Sequence, residues 1–432
     1  MANQIVTVNV SQQVASAPNA LQKTGAFISQ GGTILAANSS ALITQISDLT
    51  AILVPQNTLT AISWVGSVVT FTTAAPHNVT VGQSVKATIS GVTPSGYNGT
   101  FLATATGANT MTYPLGTNPG VETILGGYVP GSVAELTAMA ATYFAEGTST
   151  AVYVLELGAG GSAAGVAALT SYIASPTTQF YSYLFPQYWD TEPTAVTMAK
   201  AQNGTTAQVY FYVSSTLATY ALWGGIKSVY INLQSPLAPT TEFTCAAPFW
   251  VSLHYNPSAA QMVSPFQYTF VYGVTPYALT NPQQVTLTAA GVNWIGTGAQ
   301  GQISNTLIQN GVFSDLHPFN YWYSIDWAAI NCQSVLAQAV INGSNTPGNP
   351  LYYNQAGINT LEKVAQATIN NGISFGLLLT PATVFAISFV TYTQQNPTDY
   401  NLGIYRGLSV SIVPQRGFAA ITFNLTAALI PV

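Results

Sequence analysis

Hydrophobic and polar residues alternate one for one at both ends of this chain of 432 residues. In Ile5–Ser11 (IVTVNVS), Val6, Val8 and Val10 share one parity, and Thr7, Asn9 and Ser11 take the other. In Gly417–Val432 (GFAAITFNLTAALIPV), Ile421, Phe423, Leu425, Ala427 and Leu429 fall on one parity, against Thr422, Asn424 and Thr426. A period of two marks a half-buried β-strand. Chain ends are ordinarily frayed and polar, so two bare apolar terminal strands demand a sheet, in this molecule or in another.

Between the ends the period changes repeatedly. Ala26–Ser29 reads as a strand with Gly31–Gly32 as its turn. From about Ser63 to Tyr128, short Thr- and Val-rich runs are split by Gly, Pro and Asn every eight to twelve residues, the pattern of a small all-β module. Val133–Glu146 then reads as a helix, Val152–Leu157 (VYVLEL) as a buried strand, Gly158–Ser175 as a turn and helix, and Phe180–Pro186 as a strand, which makes a βαβ unit. Ala207–Ser214 and Ser228–Leu233 extend that pattern, so the β module interrupts an α/β domain. After a Pro- and Tyr-rich stretch (Pro257–Pro282), Ser324–Asn342 and Asn354–Asn370 carry apolar residues at helical spacing: Trp327, Ile330, Val335, Leu336 and Val340 in the first, Ile358, Leu361, Val364, Ala365 and Ile369 in the second. Val384–Tyr392 and Leu408–Pro414 read as strands. The most apolar run, Ile373–Val390, is broken by Pro381 and polar residues and is read as helix end, loop and strand rather than a membrane span.

Composition narrows the class. Apolar residues make up 48%, which is ordinary, but charged residues make up only 4%, so Ser, Thr, Asn, Gln and Tyr must build the surface. Such a surface has little repulsion to keep copies apart and suits a protein that packs against many neighbours. The formal net charge is −5 with seven Lys and Arg scattered along the chain, so nucleic acid is not an expected partner. No charged n-region and apolar h-region open the sequence, and no signal peptide is expected. Two cysteines, Cys245 and Cys332, cannot form a framework and read as small buried hydrophobes.

The chain holds few groups arranged for chemistry. Gly158, Gly160 and Ala163 give G-x-G-x-x-A between a strand and a helix, where a dinucleotide fingerprint would lie. No acid lies about 20 residues further on to hold a ribose, and Glu156 would repel a pyrophosphate, so a tight strand-to-helix turn is the better reading. None of His77, His254 and His317 has a second ligand at metal spacing. Asp190 and Glu192 in WDTEP fit a helix cap ahead of Pro193. A glycosidase could join distant acids, and the aromatic clusters Phe185–Trp189 and Phe319–Trp327 could stack on sugars, but packing explains both clusters. No catalytic, metal or cofactor-binding residue is assigned, no cofactor is expected, and the chain is read as not an enzyme.

Two stretches resemble known families. His77–Leu115, with Gly82, Gly91, Pro94, Gly96, Tyr97, Asn98 and Gly99, is similar to a small β module of phage tail and virion proteins. Asn98-Gly99 and Pro94-Ser95-Gly96 are its turn signals. NQIVTVNVS, ELGAGGSAAGVAALTSYIA followed by FYSYLFPQYWD, and GVNWIGTGAQGQ through YWYSIDWAAINCQSVLAQAVIN to NQAGINTLEKVAQATINNGI resemble, in order, the contractile phage (myovirus-type) tail sheath family.

The resemblance implies a multidomain α+β / α/β fold: an α/β sheath core with an inserted all-β module and extended β-strand terminal arms. The expected divisions are an N-terminal arm (1–20), an α/β domain (21–62 and 129–280), the module (63–128), a C-terminal α/β core domain (281–414) and a C-terminal arm (415–432). It implies a virion subunit, assembled in the host cytoplasm, that polymerises as stacked rings or a helical tube around a tail tube protein. It would meet baseplate and tail terminator proteins, without nucleic acid and without membrane insertion. Its arms, Ile5, Val6, Val8 and Val10 at one end and Ile421, Phe423, Leu425 and Leu429 at the other, would add strands to sheets of neighbouring subunits, with Gln415–Gly417 as a hinge. A tube or spike component, or a glycan-binding tail adhesin, is the alternative.

Overall fold

The computed structural model describes residues 18–202, 209–298, 305–345 and 350–418. The arm residues Ile5, Val6, Val8, Val10, Ile421, Phe423, Leu425 and Leu429 lie outside the described residues.

A turn of 3₁₀ helix at Pro18–Lys23 leads into β1 (Gly25–Ser29), β2 (Ser39–Ile43) and α1 (Ile46–Ile52). The β module follows as β3 (Asn57–Val65), β4 (Val68–Thr73), β5 (Ser84–Ser90), β6 (Gly99–Ala105), β7 (Thr110–Pro114) and β8 (Gly127–Pro130). The α/β pattern resumes with α2 (Gly131–Ala145), β9 (Val152–Glu156), α3 (Ser162–Ala174), β10 (Ser182–Leu184), α4 (Pro193–Ala201), β11 (Tyr210–Ser215), β12 (Val229–Leu233), α5 (Ala246–His254), α6 (Asn281–Ala289), β13 (Val292–Thr297) and β14 (Thr306–Gln309). The described chain closes with α7 (Phe319–Ser344), α8 (Gln355–Ser374), β15 (Val384–Ala386), α9 (Phe389–Gln395), α10 (Pro397–Asn401) and β16 (Leu408–Val410).

Eight strands form one sheet in the order β14-β13-β12-β11-β10-β1-β9-β2. The six inner strands run parallel, and β2 and β14 close the two edges antiparallel. Apolar runs without alternation, such as YFYVSS in β11 and VYINL in β12, are buried along their whole length because helices cover both faces. Successive residues feed opposite cores: Phe27, Tyr210, Tyr212 and Tyr230 pack against α2, α5 and α7, while Ala26, Ile28, Phe211, Val213 and Ile231 pack against α3, α4 and α6. Because β13 and β14 complete this sheet, it runs past residue 281 to Gln309, and the helical C-terminal part packs on it from Phe319 onward.

The inserted strands close into a barrel of order β3-β4-β7-β6-β5-β8. Alternation sends Val69 and Phe71, Ala87 and Ile89, Ala103 and Ala105, and Met111 and Tyr113 inward, filling the interior with Tyr97 and Tyr128. The barrel spans Asn57–Pro130, starting earlier and ending later than the composition shift at Ser63 and Tyr128 suggests. Asn98 ends the long loop that joins the β5–β6 hairpin and does not form a two-residue Asn-Gly turn. Its amide clamps the loop by accepting from Val92 N (2.9 Å) and donating to Val92 O (2.8 Å), and Gly99 opens β6 at φ +148°.

The expected strand Val384–Tyr392 is shorter than its pattern. Ser388 accepts a hydrogen bond from Thr391 N (3.3 Å) and so caps α9, ending the strand at Ala386. Of the expected Leu408–Pro414 strand, Leu408–Val410 pairs with β15, and Pro414 forms a separate antiparallel bridge to Leu378. Both ends of the described chain are tied to the first turns of α7: Gln22 Nε2 donates to Tyr323 O (3.0 Å), and Asn320 Nδ2 donates to Gln415 O (2.8 Å).

Candidate functional site: the joint between sheet and barrel

In the chain order of the sheet, β9 and β10 lie on opposite sides of β1. The connection from β9 to β10 crosses β1, so the carboxyl ends of β1 and β10 form a topological switch point, the usual ligand position in an open α/β sheet. Here that position is closed by Gln30, which bonds Tyr188 and Trp189 after β10, and the neighbouring gap between β1 and β9 is filled by an acid. Glu156, the last residue of β9, is 1% exposed. Its Oε1 accepts from Gly31 N (2.6 Å) and Gly158 N (2.8 Å), and its Oε2 accepts from Ser29 Oγ (2.7 Å), Thr33 Oγ1 (2.8 Å) and Thr33 N (3.1 Å). Gly158, at φ +86°, makes the tight turn expected of the G-x-G-x-x-A stretch.

Beside it, Gln30 locks the turn to the next strand end. Its Nε2 donates to Gly161 O (3.0 Å), and its Oε1 accepts from Trp189 Nε1 (2.7 Å) and Tyr188 Oη (2.9 Å). The barrel enters through Lys86 of β5, the only cation in its span, whose Nζ lies 3.6 Å from Glu135 Oε1 of α2 and 5.0 Å from the centre of the Tyr188 ring. A side chain at Gly131 would meet Lys86 Cβ at 2.5 Å, so glycine there permits the approach of α2 to β5. Neither Glu135 oxygen has a partner at hydrogen-bonding distance. Burial pushes this carboxyl up to about 7, against the opposing pull of the nearby Lys86 ammonium. Two clefts flank the joint: one of about 290 Å³ lined by Gln30, Lys86, Ser132 and Tyr188, and one of about 700 Å³ lined by Thr33, Gln56, Glu156 and Gly158.

The other candidates are structural. His77 takes a hydrogen bond from Val79 N at Nδ1 (3.1 Å), leaving Nε2–H to donate to Gly107 O (2.8 Å), and so clamps a turn. His254 stacks on Trp250 at 4.6 Å, and His317 pairs with Asp315 at 3.2 Å. No group of three His, Cys, Asp or Glu among the described residues is placed to hold a metal. Glu192 caps α4 ahead of Pro193, accepting from Thr194 N (3.3 Å). Asp190 accepts from Trp223 Nε1 (3.0 Å), and Asp326 accepts from the Tyr181 and Tyr210 hydroxyls (2.8 and 2.6 Å), tying α7 to the sheet. Burial raises both aspartates above the usual range. Cys245 is buried, Cys332 is half-buried, and both are free thiols. Phe185, Trp189, Phe319, Tyr323 and Trp327 are buried and Tyr188, Tyr321 and Trp322 are half-buried, so packing accounts for most of both clusters. The twelve acids are buried or half-buried, whereas Lys23, Lys200, Lys363, Arg406 and Arg416 are exposed.

A second feature faces outward. β15 and β16 pair only with each other among the described residues, and Phe385 (63% exposed), Val410 and Val413 stand open beside them. A two-stranded sheet is marginal by itself. No described helix is long and apolar enough to cross a membrane.

No protein-family model matches this sequence, and no curated protein does. Solved structures match along almost the whole chain. The helical sheath of the anti-feeding prophage (AFP) in its contracted state aligns over 98% of this chain and 99% of its own, with 12% identity and a TM-score of 0.55. A chain of the contracted AFP baseplate aligns over 98% of both, with 8% identity and a TM-score of 0.52. The sheath tail protein Lin1278 from Listeria innocua aligns over 85% of this chain and 90% of its own, at 10% identity and a TM-score of 0.45. The chain therefore has the fold of a contractile-system sheath subunit, with α/β layers and a closed six-stranded barrel.

Proposed function

We propose that this protein is a structural subunit of a contractile phage tail sheath. It polymerises as stacked rings around a tail tube and contracts to drive the tube into the host envelope. The observation that carries the reading is the end-to-end alignment with the AFP sheath, over 98% of this chain and 99% of that one. The open β15–β16 sheet and the two alternating termini support it, because each lacks what the other offers. Donated arms extend that sheet in a neighbouring copy. Donation in one direction is a head-to-tail contact, which builds rings or helical tubes. Net gains of roughly 0.5–1.5 kcal/mol per ladder hydrogen bond only offset an ordering cost of roughly 1–2 kcal/mol per residue. Burying Ile421, Phe423, Leu425 and Leu429, at roughly 1.5–3 kcal/mol each, decides the outcome.

In this reading the protein is not an enzyme and works in the virion after assembly in the host cytoplasm, with tube, baseplate and terminator proteins as partners. The strand ends on both sides of β1 are closed from within by Gln30 and Glu156, which supports a role without a bound nucleotide. Negative-stain microscopy of purified protein tests the proposal: hollow tubules or rings are expected, and monomers that bind glycans would overturn it. Truncation after Gly417, and separately Phe423→Asp with Leu425→Asp, should give folded, soluble protein that does not polymerise. Normal tubules from the truncated chain, or an unfolded product, would count against strand exchange.

A further inference from the structure

We infer that the loop after β1 and the turn after β9 form an oxyanion receptor whose resident ligand is the chain's own Glu156 carboxylate. All five donors are uncharged: three backbone amides and two hydroxyls, at 2.6–3.1 Å. They converge on one group that has about four lone-pair sites, so its acceptor capacity is saturated. Convergent loop amides of this kind make an anion-binding concavity in other α/β proteins. Two glycines aim the donors. Gly31 sits at φ +66°, where a side chain would also meet Ala159 Cβ at 2.9 Å, and Gly158 sits at φ +86°. Ser29 Oγ in turn accepts from Gly32 N (3.2 Å), which fixes the hydroxyl that serves Oε2.

The receptor positions the barrel. The loop it grips pairs through Ile34 N to Ile52 O (2.9 Å) and through Val54 N to Gly32 O (3.0 Å), immediately ahead of β3. Without the carboxylate, five donors lose their acceptor, three of them in buried and two in half-buried contacts, and the segment that launches the barrel loses its hold on the sheet. The receptor also borders the cleft of about 700 Å³, so an anion from solvent has a route to it once the side chain is shortened.

Glu156→Ala tests the inference through chemical rescue, read by thermal unfolding in sodium formate and sodium phosphate against sodium chloride at matched ionic strength. The variant should melt below the wild type in chloride. Formate or phosphate should raise its midpoint saturably, with the folded-to-unfolded ratio up about tenfold at ten times the dissociation constant. Wild type, and Glu156→Gln whose amide still fills the space, should respond only as they do to chloride. If Glu156→Ala melts with the wild type, or falls and gains nothing beyond chloride, the inference is overturned. If the variant does not fold in chloride, the yield on refolding in formate is read instead, and equal yields in formate and chloride overturn it.

Discussion

Glu135→Gln should remove a pH-dependent penalty from the joint between barrel and sheet. Glu135 titrates near 7 in the folded protein and near 4.5 when unfolded, so the unfolded chain gives up this proton first as pH rises. Below about 4.5 both states hold the proton and the residue contributes nothing. Between the two values, stability falls by about 1.4 kcal/mol per pH unit. Above 7 the loss is constant at roughly 3 kcal/mol. The attraction of Lys86 is already contained in that value. Releasing Lys86 in the variant costs less than about 1 kcal/mol, because a third of its side chain is in solvent. The buried amide carries its own desolvation cost, but that cost does not titrate, so the difference in slope between pH 5 and pH 8 isolates the carboxyl. Glu146, raised to about 7 by burial, titrates in the same window and is common to both proteins. Urea unfolding at pH 5 and 8, with hydrogen exchange of α2 and β5 amides, reads the effect: the variant should gain roughly 2 kcal/mol on wild type between the two pH values. Equal slopes would refute the assignment of a buried, ionising Glu135.

Three further outcomes follow from other parts of the molecule. Asn57 and Tyr128 are paired neighbours on β3 and β8, so replacing the barrel between Gln56 and Gly131 by a short Gly/Ser linker should leave a folded, assembling core; circular dichroism and microscopy check this, and loss of folding would show that the barrel is not separable. With every acid buried or half-buried, assembly yields by sedimentation should agree within about twofold between 0.05 and 1 M NaCl, and a steep decline with salt would mean that ion pairs join the copies. On the proposed function, extended sheath should contract without nucleotide, since Gln30 closes the switch point between β1 and β10 and Glu156 closes the gap beside it; a requirement for ATP hydrolysis by this chain would contradict that.

Much of the architecture is legible because its signals are local. The uninterrupted apolar runs at Val152–Leu157 and Ser228–Leu233 mark doubly covered strands, and the Thr- and Val-rich stretch marks the barrel. What is hidden depends on partners far apart in sequence. Glu156 reads as a charge that would repel a phosphate, and only the fold shows Gly31 and Thr33 brought from more than 120 residues away to hold it. The signals for the joint were present but mute: one acid ending an apolar strand, one lysine in an otherwise cation-free barrel, one glutamate within an apolar helix. The attachment of β13 to β12 was missed because a Pro- and Tyr-rich stretch looks like a boundary whether or not the sheet continues beyond it. At Val384–Tyr392, alternation outweighed the Ser388 cap, whose hydrogen bond to Thr391 N decides the local structure.

The two stitches onto α7 determine how the molecule carries tension. Gln22 grips the carbonyl of Tyr323, and Asn320 grips the carbonyl of Gln415, so the points where the chain enters and leaves its folded body are fastened within about one turn of the same helix. A pull applied between Pro18 and Phe418 passes from one stitch to the other through that turn. The eight-stranded sheet and the barrel lie outside this short route. Copies linked end to end by their arms would then behave as a net whose cords run through the knots.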